Sequence, residues 1–331
     1  MSGTPERDPA SAAAAWRFAL GTLSVFPVRA VEVNRRLAGR GMLLAPFAGL
    51  LLGAAAAAVS GAAAWLSGSA LLASVLAVGT LAWLTRCLHL DGLADLADGL
   101  GSGKPAEQAL DIMKRSDIGP FGVVTLVFTL LVQVTALAHL GGFGPPALIA
   151  ACATGRLAIT WACRDSVPAA RPGGLGAFVA GTVRRGPALA VTAGVLVGAA
   201  LLLPALGSVL PCHLTAAPGG VIWGDLHRPS SPLLDEWPPG RVFENSYGYP
   251  RGDTAHYEVV TMVNVAEPSP FLSAIRWAPA TFPLAVLAGL LAAALLRRRA
   301  VRRLGGITGD VLGALVECAT TTTLLLCALL L

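Results

Sequence analysis

The chain has 331 residues, 55% of them hydrophobic and only 13% charged, with a mean hydropathy of +0.68. Soluble domains carry roughly 25% charged residues, so a soluble globular fold is excluded and a membrane protein is indicated. The formal net charge of +5 comes with no recognisable nucleic-acid module, so no nucleic-acid partner is expected.

The N-terminal segment carries a modest apolar patch from Trp16 to Val28. It lacks the basic start and small-residue cleavage site of a signal peptide, and it is expected to remain on the cytoplasmic side. Apolar runs long enough to cross a bilayer, about 20 residues each, follow at 43–66, 70–88, 120–141, 146–163, 187–210, 277–296 and 311–331. The first includes GLLLG at 49–53, a small-xxx-small pattern that lets helices approach closely. The predicted fold class is therefore an all-α polytopic membrane helix bundle of about seven transmembrane helices. Assigning sides in alternation places 1–42, 86–119, 164–186 and 297–310 together, and these hold 19 of the 24 Lys and Arg. By the positive-inside rule that face is cytoplasmic. Five of the six cysteines fall in or beside apolar runs and none forms a CxxC pair, so they read as small apolar filler.

One stretch breaks the pattern. Residues 211–276 are rich in Pro, Gly and acids and hold all three tyrosines, which predicts an irregular extracytoplasmic loop or insertion. The expected organisation is one membrane catalytic domain in two parts, 1–210 and 277–331, with that insertion between them.

The acids locate the chemistry. Three of the 19 Asp and Glu lie in the N-terminal segment and seven in the insertion; of the remaining nine, six fall within 91–117. A charge at membrane depth costs on the order of 2.5–3.5 kcal/mol on insertion scales, so such groups are usually retained for a site. In HLDGLADLADGL, residues 89–100, a helix places Asp91, Asp95 and Asp98 at i, i+4 and i+7, within an arc of roughly 60°. Three converging carboxylates repel unless a cation lies between them, and hard Mg²⁺ prefers such oxygen ligands. The last span repeats the pattern, with Gly306, Asp310, Gly313 and Glu317 on one stripe. The bland reading of both stripes is a solvated acidic face and a tightly packed glycine-lined helix.

The only two lysines, Lys104 and Lys114, lie in GSGKPAEQALDIMKRSDIGPFG just beyond the first stripe, and suggest anion binding. The run GSGKP is not a phosphate loop, because Asp98 stands where that pattern needs its first glycine and Pro105 replaces the Ser/Thr. Arg86, Arg156 and Arg171 complete a cationic set suited to a pyrophosphate, or equally to lipid headgroups. Carboxylates for metal, cations for phosphate and a membrane-boundary position together describe metal-assisted phosphoryl transfer. His89, just before the stripe, is either a base or an orienting group.

HLDGLADLADGL, IMKRSDIGPFG, ARPGGLG (170–176) and RRLGGITGDVLGALVE occur in that order, and together they resemble the cobalamin synthase, or adenosylcobinamide-GDP ribazoletransferase, family over 16–205 and 277–331. The resemblance implies a Mg²⁺-dependent multi-pass enzyme of the bacterial plasma membrane with its active site on the cytoplasmic side. It would join adenosylcobinamide-GDP and α-ribazole, or its 5′-phosphate, with GMP leaving. Second copies or other cobalamin-assembly enzymes are the further partners this leaves open. By position it assigns the metal to Asp91, Asp95 and Asp98, with Asp310 or Glu317 joining them. The substrate phosphates would lie with Lys104, Lys114, Arg115 and Arg171. Residues 115–117 read Arg-Ser-Asp where many members have Asp-Ser-Arg, and 211–276 has no recognised counterpart. Two rivals are a CDP-alcohol phosphotransferase, whose DG-x-x-AR spacing is not matched here, and an ion-coupled transporter, for which no internal repeat is visible.

Overall fold

The computed structural model describes residues 11–29, 31–115, 117–209 and 270–331. Its helices are α1 (Ala12–Leu23), α2 (Arg35–Ser67), α3 (Ala70–Leu84), α4 (Leu88–Gly101), α5 (Ala106–Ile112), α6 (Pro120–Leu140), α7 (Gly144–Ala162), α8 (Gly174–Val179), α9 (Arg185–Val209), α10 (Pro270–Leu304) and α11 (Gly309–Leu330). Local chemistry fixes several of the ends. The side chains of Ser11, Asn34, Ser69 and Thr308 accept the free backbone N–H groups that open α1, α2, α3 and α11. Gly68 closes α2 in the left-handed region at φ 65°.

Each of the seven expected spans is helical: α2, α3, α6, α7, α9, α10 and α11. By length and apolarity alone, four described helical segments suffice to cross a bilayer, or five if α3 and α4 form one broken span. One of the four, 120–162, folds back on itself. Gln133 of α6 hydrogen bonds Thr321 while Ala151 of α7 accepts from Thr320, so both halves lie at one level of α11. The break is at Gly141, with φ 51°.

Helix α7 is the centre of the bundle, buried along nearly its whole length because it is built of Ala, Gly, Cys and Thr. A Cβ at Gly49 of α2 would lie 2.4 Å from the carbonyl oxygen of Cys152, and one at Gly53 would lie 2.9 Å from Ile149 Cα. Gly155 meets Thr320 and Val316 of α11 in the same way. Small residues thus bring backbones together where apolar burial gives helices no drive to associate in lipid.

The connecting segments gather at one end. Val25 N donates to Leu84 O, Arg35 donates to Ala177 O and Ala180 O, and Arg303 donates to Lys104 O. Isolated bridges join Arg164 to Val183 and Ala169 to Ile307. The described residues of segments 1–42, 86–119, 164–186 and 297–310 therefore share a face, as the alternation predicts. The expected insertion lies outside the described residues up to 269, and α10 already begins at Pro270.

Replacing Gly49 by Val puts side-chain atoms into the Cys152 backbone. An overpacked contact of this kind costs about 1–3 kcal/mol, so the purified variant is expected to melt several degrees below the parent in detergent, whereas Gly61→Val, whose Cβ faces open space, melts with it.

Candidate active site

Helix α4 turns away from α3 by 87°. The turn is made by Arg86 and Cys87, at φ 53° and 56°, two consecutive non-glycine residues in the left-handed region and hence a strained junction. The strain aims α4 across the start of α11. At the crossing a Cβ on Gly92 would lie 2.6 Å from the carbonyl oxygen of Asp310 and 2.9 Å from its Cα, and one on Gly313 would lie 3.1 Å from His89 Cα. Backbone rests on backbone. Asp91 and Asp95, which flank Gly92, are thereby brought beside Asp310, and the carboxylates of Asp91, Asp98 and Asp310 all act on Asp95 electrostatically. Thr308 caps α11 and donates its hydroxyl to Asp310 Oδ2 at 3.2 Å, fixing that carboxylate at the helix entrance.

The stripe divides by role. Asp91 is exposed and Asp95 half-buried, but Asp98 is buried and accepts hydrogen bonds from Gly119 N at 2.7 Å and Gly122 N at 2.9 Å. Helix α6 has no cap of its own, so Asp98 supplies one, a carboxylate against the free N–H groups and positive end of the helix. A Cβ at either Gly119 or Gly122 would lie 2.5 Å from an Asp98 oxygen. Both glycines of GPFG are needed for this contact.

Among the cations, Arg171 reaches the acids. Its segment is clamped to the start of α11 by Ala170 N to Ile307 O at 3.0 Å and Ile307 N to Pro168 O at 2.9 Å. Gly306 and Gly176 admit that clamp, since a Cβ on either would meet backbone within 2.6 Å. Arg171 donates to Leu110 O and acts electrostatically on both Asp95 and Asp310. Arg115 lines a cleft of about 260 Å³ with Asp95, Asp98 and Asp117. Lys114 pairs with Asp111 at 3.3 Å on the exposed face of α5, and Lys104 is exposed in the turn after α4.

His89, Arg156 and Glu317 lie together inside the bundle. Arg156 is only 2% exposed, so it is not part of the cationic set expected with Arg86 and Arg171 at the boundary. Its Nη2 lies 3.4 Å from His89 Nδ1. Because a guanidinium only donates, Nδ1 accepts and the ring proton sits on Nε2. Glu317, attracted by Arg156, accepts from Gln133 Nε2 at 2.8 Å. It is two turns along α11 from Asp310, within this buried network. Gln133, Asp117 and the Thr308 cap escape the stripe argument; a lone amide in an apolar span is the one legible signal for Gln133.

Among the described residues, no three His, Cys, Asp or Glu side chains close around a point that holds a metal ion. Mg²⁺ does not demand such a cage. It keeps several waters and commonly takes one or two carboxylates plus substrate phosphates. Asp91, Asp95 and Asp310, all oxygen donors with Arg171 and Arg115 nearby for phosphate, fit that mode, whereas Asp98 is occupied by the α6 amides.

The family model of cobalamin-5-phosphate synthase matches residues 15–227 and 247–328. The chain belongs to the cobalamin-5-phosphate synthase family. It is 38% identical over 95% of its length to the adenosylcobinamide-GDP ribazoletransferase of Frankia casuarinae, 94% of which is covered. It is 34% identical over 94% of its length to that of Nocardioides sp., 96% of which is covered. No solved structure matches. The family match runs to 227 and resumes at 247, so most of the 211–276 interruption is shared with cobalamin-5-phosphate synthases and is not foreign to them.

The division of the stripe has a measurable consequence. Asp98→Ala removes a helix cap, worth about 0.5–2 kcal/mol, and is expected to lower the melting temperature. Asp91→Ala and Asp95→Ala, free of such bonds, are expected to melt as the parent does or slightly above it.

Proposed function

We propose that the chain is an adenosylcobinamide-GDP ribazoletransferase, which joins adenosylcobinamide-GDP and α-ribazole, or α-ribazole 5′-phosphate, to give adenosylcobalamin, or its 5′-phosphate, and GMP. The observation that carries this reading is the meeting of Asp91, Asp95 and Asp310 at the α4–α11 crossing with Arg171 beside them, in a chain whose full-length relatives bear that name. The ribazole 3′-hydroxyl oxygen forms a bond to the phosphorus attached to cobinamide, the bridging P–O bond to GMP breaks, and the hydroxyl proton passes to a carboxylate of the crossing. Arg171 and Arg115 hold the pyrophosphate oxygens, with Lys104 and Lys114 drawing the anionic substrate toward the cleft.

Mg²⁺ is the proposed cofactor: Asp91, Asp95 and Asp310 would hold it, and it would supply charge neutralisation for the pyrophosphate. His89, with its proton on Nε2, orients α4 against Arg156 and does not take the hydroxyl proton through Nδ1. Glu317 stays with Arg156 and Gln133. The site faces the cytoplasm of a bacterial plasma membrane, on the side where the arginines gather, and α9 ends and α10 begins across the bilayer from it.

The test is GMP release from adenosylcobinamide-GDP by purified protein, with and without α-ribazole and Mg²⁺. Release that requires both, and that falls at least about 100-fold in Asp91→Asn, Asp95→Asn and Asp310→Asn, is the expected result. Ribazole-independent release, or two of the three variants near parental turnover at saturating Mg²⁺, contradicts it. The sidedness is checked in intact cells: cysteines introduced by Lys104→Cys and Arg302→Cys in a Cys87→Ser, Cys212→Ser background are expected to be shielded from impermeant thiol reagents, and one introduced by Gly240→Cys labelled.

A further inference from the structure

A second cavity lies away from the acids. Helices α7, α9, α10 and α11 enclose a crevice of about 270 Å³, walled by Ala158, Leu287, Leu290, Leu291, Ala294 and Leu315. Leu315 is about 200° round α11 from Gly313, so the crevice is on the opposite side of that helix from α4. Leu287 and Leu291 are 47% and 61% exposed, so it opens on the outer surface of the bundle, where hydrocarbon lies. Its volume is below the roughly 300–1,000 Å³ of sites for drug-sized ligands, which suits one flexible chain and not a corrinoid or nucleotide.

One end is polar and built. Arg297 borders the crevice and donates through Nη1 to Trp161 O, and Trp161 Nε1 donates to Thr192 Oγ1 at 3.0 Å. The Arg164 guanidinium stands 5.8 Å from the centroid of the Trp161 ring. Arg297 is repelled by both Arg164 and Arg298. None of the three has an acid partner among the described residues, whose ion pairs are Lys114–Asp111 and Arg185–Asp165. An apolar slot open to the acyl chains thus ends in uncompensated positive charge, next to the run of arginines 297–299 with which α10 leaves the membrane.

We propose that this crevice binds one anionic glycerophospholipid, with an acyl chain along the α10–α11 wall and the phosphate at Arg297, backed by Arg164. Positive charge near the headgroups selects anionic over zwitterionic lipid, and Ala293 and Ala294 leave the room for the chain.

The test is native mass spectrometry of the full chain released from detergent after incubation with phosphatidylglycerol, phosphatidylcholine, palmitate or inorganic phosphate. Expected is one retained phosphatidylglycerol per chain, with phosphatidylcholine, palmitate and phosphate each held at least severalfold more weakly. Arg297→Gln is expected to weaken retention about fivefold, the share of one arginine near a headgroup, while Arg297→Lys keeps most of it. Ala294→Phe, which fills the slot and spares the charge, is expected to lose the retained lipid while GMP release stays at the parental rate. Equal retention of the two phospholipids, unchanged retention in Ala294→Phe, or displacement of the lipid by inorganic phosphate alone overturns the proposal.

Discussion

The arrangement of the site depends on one contact, the backbone of Gly92 against the backbone of Asp310. Helices carrying side chains at a crossing keep their axes about 8–10 Å apart; glycine lets α4 come closer, and Gly313 against His89 repeats the approach one turn on. That approach is what makes two acids of one helix and one of another into a single group. It also explains the strained turn at Arg86 and Cys87. Without it α4 would continue the direction of α3 and carry its carboxylates away from α11.

The rest of the end-face supports that crossing from three sides. Asp98 joins α4 to α6 through the amides of Gly119 and Gly122, and the Ala169–Ile307 bridge ties the Arg171 segment to the start of α11. From within the bundle, Arg156 touches His89 and attracts Glu317, linking α7 to both crossing helices. Burying an arginine beside such groups adds little net stability, because desolvation offsets the attraction, but removing one partner is costly. Its value here is positional.

Much of this was legible in the residues and some was not. The seven apolar runs and the common face of 86–119, 164–186 and 297–310 follow from the cost of polar groups in hydrocarbon, which leaves a chain few alternatives. The stripe of Asp91, Asp95 and Asp98 was legible as a periodicity, yet periodicity only places side chains on one face. It does not say that α6 begins where Asp98 ends, so the capping role of that residue emerges only when helices distant in sequence are packed. Arg156 misled for a related reason. Grouped with the other arginines it reads as a boundary residue, although it lies midway along the run 146–163, and the packing of His89 and Glu317 around it reveals an interior charge. That the Asp310 backbone rests against Gly92 is a tertiary fact that no periodicity displays.

The central claim is that acids from α4 and α11 share one cation at this crossing. Titration of Mn²⁺, as a paramagnetic substitute for Mg²⁺, into the purified chain with adenosylcobinamide-GDP, followed by electron paramagnetic resonance, tests it most directly. The account requires that Asp310→Ala weaken Mn²⁺ binding as strongly as Asp91→Ala, by about tenfold or more, and that Gly92→Val, which removes no ligand but separates the helices, weaken it comparably. Parental Mn²⁺ affinity in Asp310→Ala or in Gly92→Val would show that the two helices do not share the ion.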